Sequence, residues 1–415
     1  MRIGWLREST PVELESCAAA SSRGIERGSS AMRFLAILLS SLGLLVVSSP
    51  AVADDCEAPC AGYEISTELQ NDWIFAADPS FLKSDVLQPS ITADYFLAPV
   101  DYLKLVTSIV TEPVVDPAPG QNAAFEGIGT YVGELYAVIE AEPVTLRAGK
   151  FDTIFSLASE VDPGINATSL AENFDADERW GAEAVLAFEA LDLNHSVAAT
   201  LFTTDRTFLS ESLFTNRGKT RLSDGGAGNT EGISSFSIAL NGCKGAETAD
   251  CYEDGEFGYR LGFRFQKAGH ATMEDIEDDI KPADELAYLA AATKSFELDE
   301  MTLRLLGEAA YLRHFEGGPD DALLVTGSAA LEKDSMRYIA TYTQQVNLVA
   351  GGPDTREHLA DFEAIYSSEE DTPFAGSKWE LGAAYTFARN ADREDAHIFS
   401  VRAVFDFAGS VELGK

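Results

Sequence analysis

From Glu256 to Gln266 the chain alternates without a break: Phe257, Tyr259, Leu261, Phe263 and Phe265 on one face, Glu256, Gly258, Arg260, Gly262, Arg264 and Gln266 on the other. Successive side chains of an extended chain point to opposite sides, so this is a β-strand with one apolar face and one face of charge and glycine. The pattern returns where Trp379, Leu381, Ala383, Tyr385 and Phe387 oppose Lys378, Glu380, Gly382 and Thr386. It returns again where Phe399, Val401, Ala403, Phe405 and Phe407 oppose Ser400, Arg402, Val404 and Asp406. It is weaker in 133–140, 180–190 and 301–311. A soluble sandwich also alternates, but its inner face packs and its outer face meets water. Here the polar face mixes glycine with charges of both signs and the apolar face ends in aromatics. That polarity is expected when lipid lies outside and a wet lumen inside.

Segments of this kind number about sixteen, near 62–70, 86–97, 100–111, 128–140, 143–151, 179–190, 194–204, 231–241, 256–267, 284–296, 301–314, 321–332, 336–348, 358–367, 377–389 and 396–407. The connections after the second, fourth, sixth, tenth and twelfth segments are very short, whereas those after odd-numbered segments are mostly longer and rich in Asp, Glu and Gly. Short periplasmic turns alternating with long external loops give that rhythm when both termini face the periplasm. The connection at 242–255 breaks it by being long, and the one at 390–395 by being short. The expected fold is all-β: a single closed antiparallel transmembrane β-barrel of about sixteen strands.

No run of eighteen apolar residues follows Ala53, so a helical membrane span is not expected. Before it, Met32-Arg33 leads into an apolar run, Phe34 to Val47, and then to Ala51-Val52-Ala53. That sequence of charge, apolar segment and small residues reads as a secretory signal cleaved after Ala53, with translation starting at Met32. Residues 1–53 are thus an N-terminal extension plus signal peptide, and 54–415 the barrel. The whole chain carries a formal charge of −38; removing the five arginines and four acids of 1–53 leaves 25 basic and 64 acidic residues, or −39. Such a charge excludes a nucleic-acid binder and enriches cations in any pore it lines.

Four cysteines follow the cleavage site, Cys56, Cys60, Cys243 and Cys251. In an exported chain two local disulfides, Cys56–Cys60 and Cys243–Cys251, are the natural pairing. Zinc is the competing idea, but no histidine accompanies either pair, so no metal site is expected. The five histidines are scattered and none sits in a hydrolase motif; Gly225–Gly228 has no strand-to-helix context for a phosphate cradle. The acidic runs Glu274–Asp279 and Glu369–Asp371 lack the calcium-loop pattern and read as solvated faces. Neither an enzyme nor a cofactor is expected.

Between the strands ending at Phe151 and starting near Trp180 lie about thirty residues without strand rhythm. So long a segment between two clean strands is usually functional or disordered. At Gly149-Lys150-Phe151, with Asp162-Pro163-Gly164-Ile165 and Glu178-Arg179-Trp180-Gly181 beyond, the sequence resembles porin-like outer-membrane proteins of Gram-negative bacteria. The resemblance spans the mature chain as a pattern of signal, strands and aromatic end. Two features depart from it: eight residues follow Phe407, and the mature chain keeps cysteines.

The resemblance implies an outer-membrane channel for passive diffusion of small hydrophilic solutes or ions, with the third external loop folded into the lumen as a constriction. A plugged structural or adhesive barrel, or a barrel hydrolase, are the alternatives. Outer-membrane lipid is the expected surrounding, a homotrimer is compatible with the class, and solute identity is not legible. Candidate pore-lining residues are Arg147, Lys150, Arg260, Arg264, Arg304, Glu308, Glu380 and Arg402 on the wall and Glu160, Asp162 and Glu172 in the loop. Opposed rings of charge set up a transverse field that selects polar solutes; simple pairing across neighbouring strands is the competing role. The segment 152–178 carries seven acids and neither Lys nor Arg, so its carboxylates are expected to face the arginine-bearing wall, Arg147 nearest in sequence, and to make the channel cation-leaning.

Overall fold

The computed structural model describes residues 56–161, 164–246, 255–277, 280–368 and 377–413. The signal segment, Asp162 and Cys251 lie outside them, so the cleavage site and the Cys243–Cys251 pairing are not described. Cys56 and Cys60 are joined by a disulfide.

The strands run in chain order as β1 (Cys60–Asp78), β2 (Asp85–Val100), β3 (Leu103–Pro113), β4 (Ala123–Ala124), β5 (Ile128–Ala141), β6 (Val144–Phe151), β7 (Arg179–Ala190), β8 (Leu193–Thr204) and β9 (Leu213–Phe214). They continue as β10 (Ser235–Lys244), β11 (Phe257–Gln266), β12 (Glu285–Leu298), β13 (Met301–Arg313), β14 (Asp321–Lys333), β15 (Met336–Leu348), β16 (Thr355–Ser367), β17 (Ser377–Arg389) and β18 (Asp395–Glu412). Sixteen are long and pair antiparallel with their neighbours; β4 and β9 are two-residue additions on β2 and β5. The ring closes because β1 pairs with both β2 and β18, from Cys60 opposite Glu412 to Asp78 opposite Asp395 with one register shift between Ile74 and Ala76. Closure leaves no sheet edge, which a span through lipid requires. The residues after Phe407 continue β18 as far as Glu412, against the first residues of β1. The departure at the C-terminus is therefore extra strand.

Two-residue turns follow β2, β5, β7, β12 and β14, all at one end of the barrel. Leu261, Tyr288, Leu305, Leu323, Tyr342, Phe362, Leu381 and Phe399 face outward and are exposed, while Arg260, Arg264, Glu308, Thr326, Asp361, Thr386 and Ser400 point inward and are buried. This is the inverted polarity of a barrel in lipid. Among the described residues no helix is long and apolar enough to cross a membrane.

On β12, β13 and β14 part of the inner face is apolar for a reason visible only in the fold. Ala287, Leu289 and Ala291 of β12, Ala310 and Leu312 of β13, and Ala322 and Leu324 of β14 form an apolar patch on the inner wall. It is covered by Phe155, Leu157, Ala158 and Phe174. At this patch both faces of the strands are apolar because lipid lies against one and chain 152–178 against the other.

Candidate functional site

The segment 152–178 begins where β6 stops. Gly149 has φ +143°, and a Cβ there would lie 2.3 Å from the Leu135 carbonyl oxygen, so only glycine fits. Phe151 follows, fully buried, with Arg147 stacked on its ring at 4.2 Å. The segment then closes on itself. The Glu178 amide donates to Asp152 Oδ1 at 2.6 Å, and the Thr153 amide to the Ala176 carbonyl at 3.2 Å. The result is a loop with a pinched neck.

Beyond the neck the loop lies against the inner faces of β11 to β18. Glu308 of β13 accepts from the Ser156 hydroxyl at 2.9 Å and from the amides of Leu157 and Ala158 at 2.6 and 3.1 Å. Arg260 of β11 donates to the Ser156 carbonyl and to Glu160 Oε1, both at 2.7 Å. Glu363 of β16 accepts from the Ile165 amide at 2.9 Å. The Asn166 side chain donates to Thr386 and Ser400 at 3.0 and 2.9 Å; Thr386 in turn donates to Asp361, and Ser400 to Asp72 at 2.6 Å. Apolar contacts complete the docking. Phe155 lies under Arg264 at 4.6 Å and edge-on to Phe174 at 6.2 Å, and Ala167 and Leu170 pack on Leu359. Gly262 makes room for this ring, since a Cβ there would sit 3.0 Å from Phe155.

The remaining candidates divide by register. Arg147 pairs with Glu183 at 2.9 Å, Arg264 with Glu285 at 3.1 Å and Arg304 with Glu332 at 3.2 Å. Arg402 lies 3.6 Å from Glu363 and 3.8 Å from Glu68, and Glu380 accepts from Ser367. Glu172 sits in a short turn, Glu172–Phe174, partly exposed. Lys150 is different. It is one residue out of step with Arg147, in register with the exposed Leu146 and Ala148, and is completely enclosed. Its ammonium reaches the Val132 carbonyl at 2.6 Å, Glu178 at 2.7 Å and Asp205 at 3.1 Å. It holds the neck and does not stand on the inner wall with the arginines.

Docking runs in both directions, wall arginine on loop oxygens and wall carboxylates on loop donors. Arg260 donates to Glu160 and to the Ser156 carbonyl and Asn166 donates to wall hydroxyls, while the remaining hydrogen bonds described run from loop amides and the Ser156 hydroxyl to wall carboxylates, Glu308 and Glu363. A carboxylate accepting two or three N–H and O–H bonds is among the stronger arrangements available. Sequence reading missed Glu363, Asp361, Ser156 and Asn166; the apolar inner positions of β12–β14 were the trace of docking it held. Within the loop, burial pushes the Asp175 carboxyl well above the ordinary carboxylate range, and neighbouring Asp177 adds to the shift.

The wall away from the loop is more open. Asp94 of β2 and Lys104 of β3 keep solvent access, as do Arg304 and Glu332 at the two-residue-turn end of β13 and β14, whereas Arg260, Arg264 and Glu308 beneath the loop have almost none.

No protein-family model matches the chain, and no curated protein matches it in sequence. Among solved structures it is similar to the outer membrane channel DcaP of Acinetobacter baumannii, at 11% identity and a TM-score of 0.47 over 86% of this chain and 100% of that one. It is also similar to OmpT, an outer membrane protein of Vibrio cholerae in its trimer form, at 11% identity and 0.46 over 84% and 99%. A third is the outer membrane protein opdK of Pseudomonas aeruginosa, at 9% and 0.44 over 85% and 98%. On its own strand register and inverted polarity, the chain is a closed sixteen-strand antiparallel barrel of the outer-membrane type.

Proposed function

We propose that the protein is a porin: a water-filled channel for passive diffusion of small hydrophilic solutes across the outer membrane, cation-leaning, with 152–178 as its constriction. The observation that carries this reading is the asymmetry of the inner wall. The loop is fastened to the β11–β18 side through Glu308, Arg260, Glu363 and Asn166, while charged residues of β2 and β3 keep solvent access. Charge beside a narrow passage acts strongly on a passing ion, whereas charge on an outer loop is screened beyond about 8–10 Å at physiological salt.

Purified protein in a planar bilayer is the test. Stepwise conductance with a cation-over-anion reversal potential is expected. Replacing Glu160, Asp162 and Glu172 by their amides lowers the permeability ratio, and deleting 156–172 raises unit conductance. A correctly inserted barrel that gives no steps is plugged, and the reading fails.

A further inference from the structure

The connection 205–234, between β8 and β10, reaches over the neck of the loop. From it Arg217 forms a fork on Glu178, Nη1 to Oε1 at 2.8 Å and Nη2 to Oε2 at 2.5 Å. Its Nε donates to the Ser210 carbonyl at 2.6 Å and its amide to the Ser212 hydroxyl at 2.8 Å, so the guanidinium is held by its own segment. The Tyr131 ring of β5 lies 3.4 Å beneath it, and Tyr131 donates to Glu112. The same segment supplies Asp205, which binds Lys150 at 3.1 Å and accepts from the Trp180 indole at 2.9 Å. Its two-residue strand β9 pairs with β5 at Gly129 and Thr130, beyond the end of β6. Glu178 thus receives cations from two sides, Lys150 at 2.7 Å from β6 and Arg217 from the neighbouring connection.

We propose that Arg217 is a positioning residue for the loop 152–178, locking its neck shut through Glu178 and coupling the connection 205–234 to the seat of the loop in the lumen. The inference rests on the channel reading for its consequence in current, but not for the lock itself. Glu178 is the last residue before β7 and has φ +52°, a left-handed conformation uncommon for a non-glycine residue. The same residue donates its amide to Asp152, the first residue of the loop. Holding the Glu178 carboxylate therefore fixes the junction where the loop leaves and rejoins the wall. A bidentate fork fixes both carboxylate oxygens; an ammonium in its place would be a point charge without that geometry.

Two readouts in folded, detergent-purified protein test this. The first is labelling of Thr153→Cys, a thiol at the neck, by a bulky maleimide without reductant, with the parent protein as background. Thr153 is buried, so labelling reports opening of the neck. Arg217→Gln should raise its rate about tenfold or more, the scale set by losing a charged hydrogen-bonded pair. Arg217→Lys, which keeps the charge and loses the fork, should give a smaller rise with normal heat-modifiable mobility. The second readout is single-channel current, in which Arg217→Gln should add transitions between conductance levels. Unchanged labelling in both variants overturns the proposal, whatever the current does. Faster labelling in a barrel that never conducts keeps the lock and rejects the channel.

Discussion

Removing the carboxylate of Glu308 is the sharpest probe of how the loop is seated. That side chain is buried and accepts three hydrogen bonds from residues 156–158. In Glu308→Ala all three donors lose their acceptor beneath the loop. At the low end of the range for stranding a buried donor, since lumen water recovers part, this costs about 1 kcal/mol each, or about 3 kcal/mol together. Glu308→Gln behaves otherwise. Its amide oxygen can still accept from the two backbone amides, and Ser156 can turn to accept from the new NH2, so only the charge is lost. Charge-assisted bonds are roughly twice as strong as neutral ones, which puts this variant at about 1–1.5 kcal/mol. At 1.4 kcal/mol per tenfold, opening of the loop should be favoured about tenfold in the glutamine variant and about a hundredfold in the alanine variant. Hydrogen exchange at the amides of Leu157 and Ala158 reads this directly, with amides of β13 as the internal reference. Equal protection in parent and alanine variant would refute the reasoning, because the bonds to Glu308 would then not hold the loop.

Two further outcomes follow from the same geometry. Because burial raises the folded-state pKa of Asp175, its contribution to the seated loop is present at low pH and lost as pH rises through that raised value. Opening of the loop, read by thiol labelling at a fixed reagent ionisation, should therefore increase with pH over a window above the ordinary Asp range; Asp175→Asn should flatten the profile, and an unchanged profile counts against the assignment. Gly149→Ala meets the Leu135 carbonyl in a backbone conformation reserved for glycine, so refolding yield into the heat-modifiable barrel should fall sharply; parental yield would show that β6 can end without glycine.

The barrel was legible in the sequence because its determinants are local. Alternation at Phe257–Phe265 or Trp379–Phe387 states which side meets lipid, and short turns set which ends face the same way; both are written within a dozen residues. The seat of the loop was legible only in part: Glu160, Arg260 and Glu308 stood out as charged candidates, but most of the bonds that seat the loop did not. Its contacts join residues far apart in the chain, Leu157 to Glu308, Ile165 to Glu363 and Asn166 to Ser400. Some are made by backbone amides, which carry no sequence signature. Counting charged side chains predicts carboxylates of the loop against arginines of the wall. Tertiary structure keeps one such pair, Glu160 on Arg260, and adds wall carboxylates set against amides of the loop, because a buried, non-repetitive backbone must find acceptors and the inner faces of β13 and β16 supply them. Lys150 shows the same limit: its register is local, but only the fold brings Glu178 and Asp205 around its ammonium and so removes it from the lumen wall.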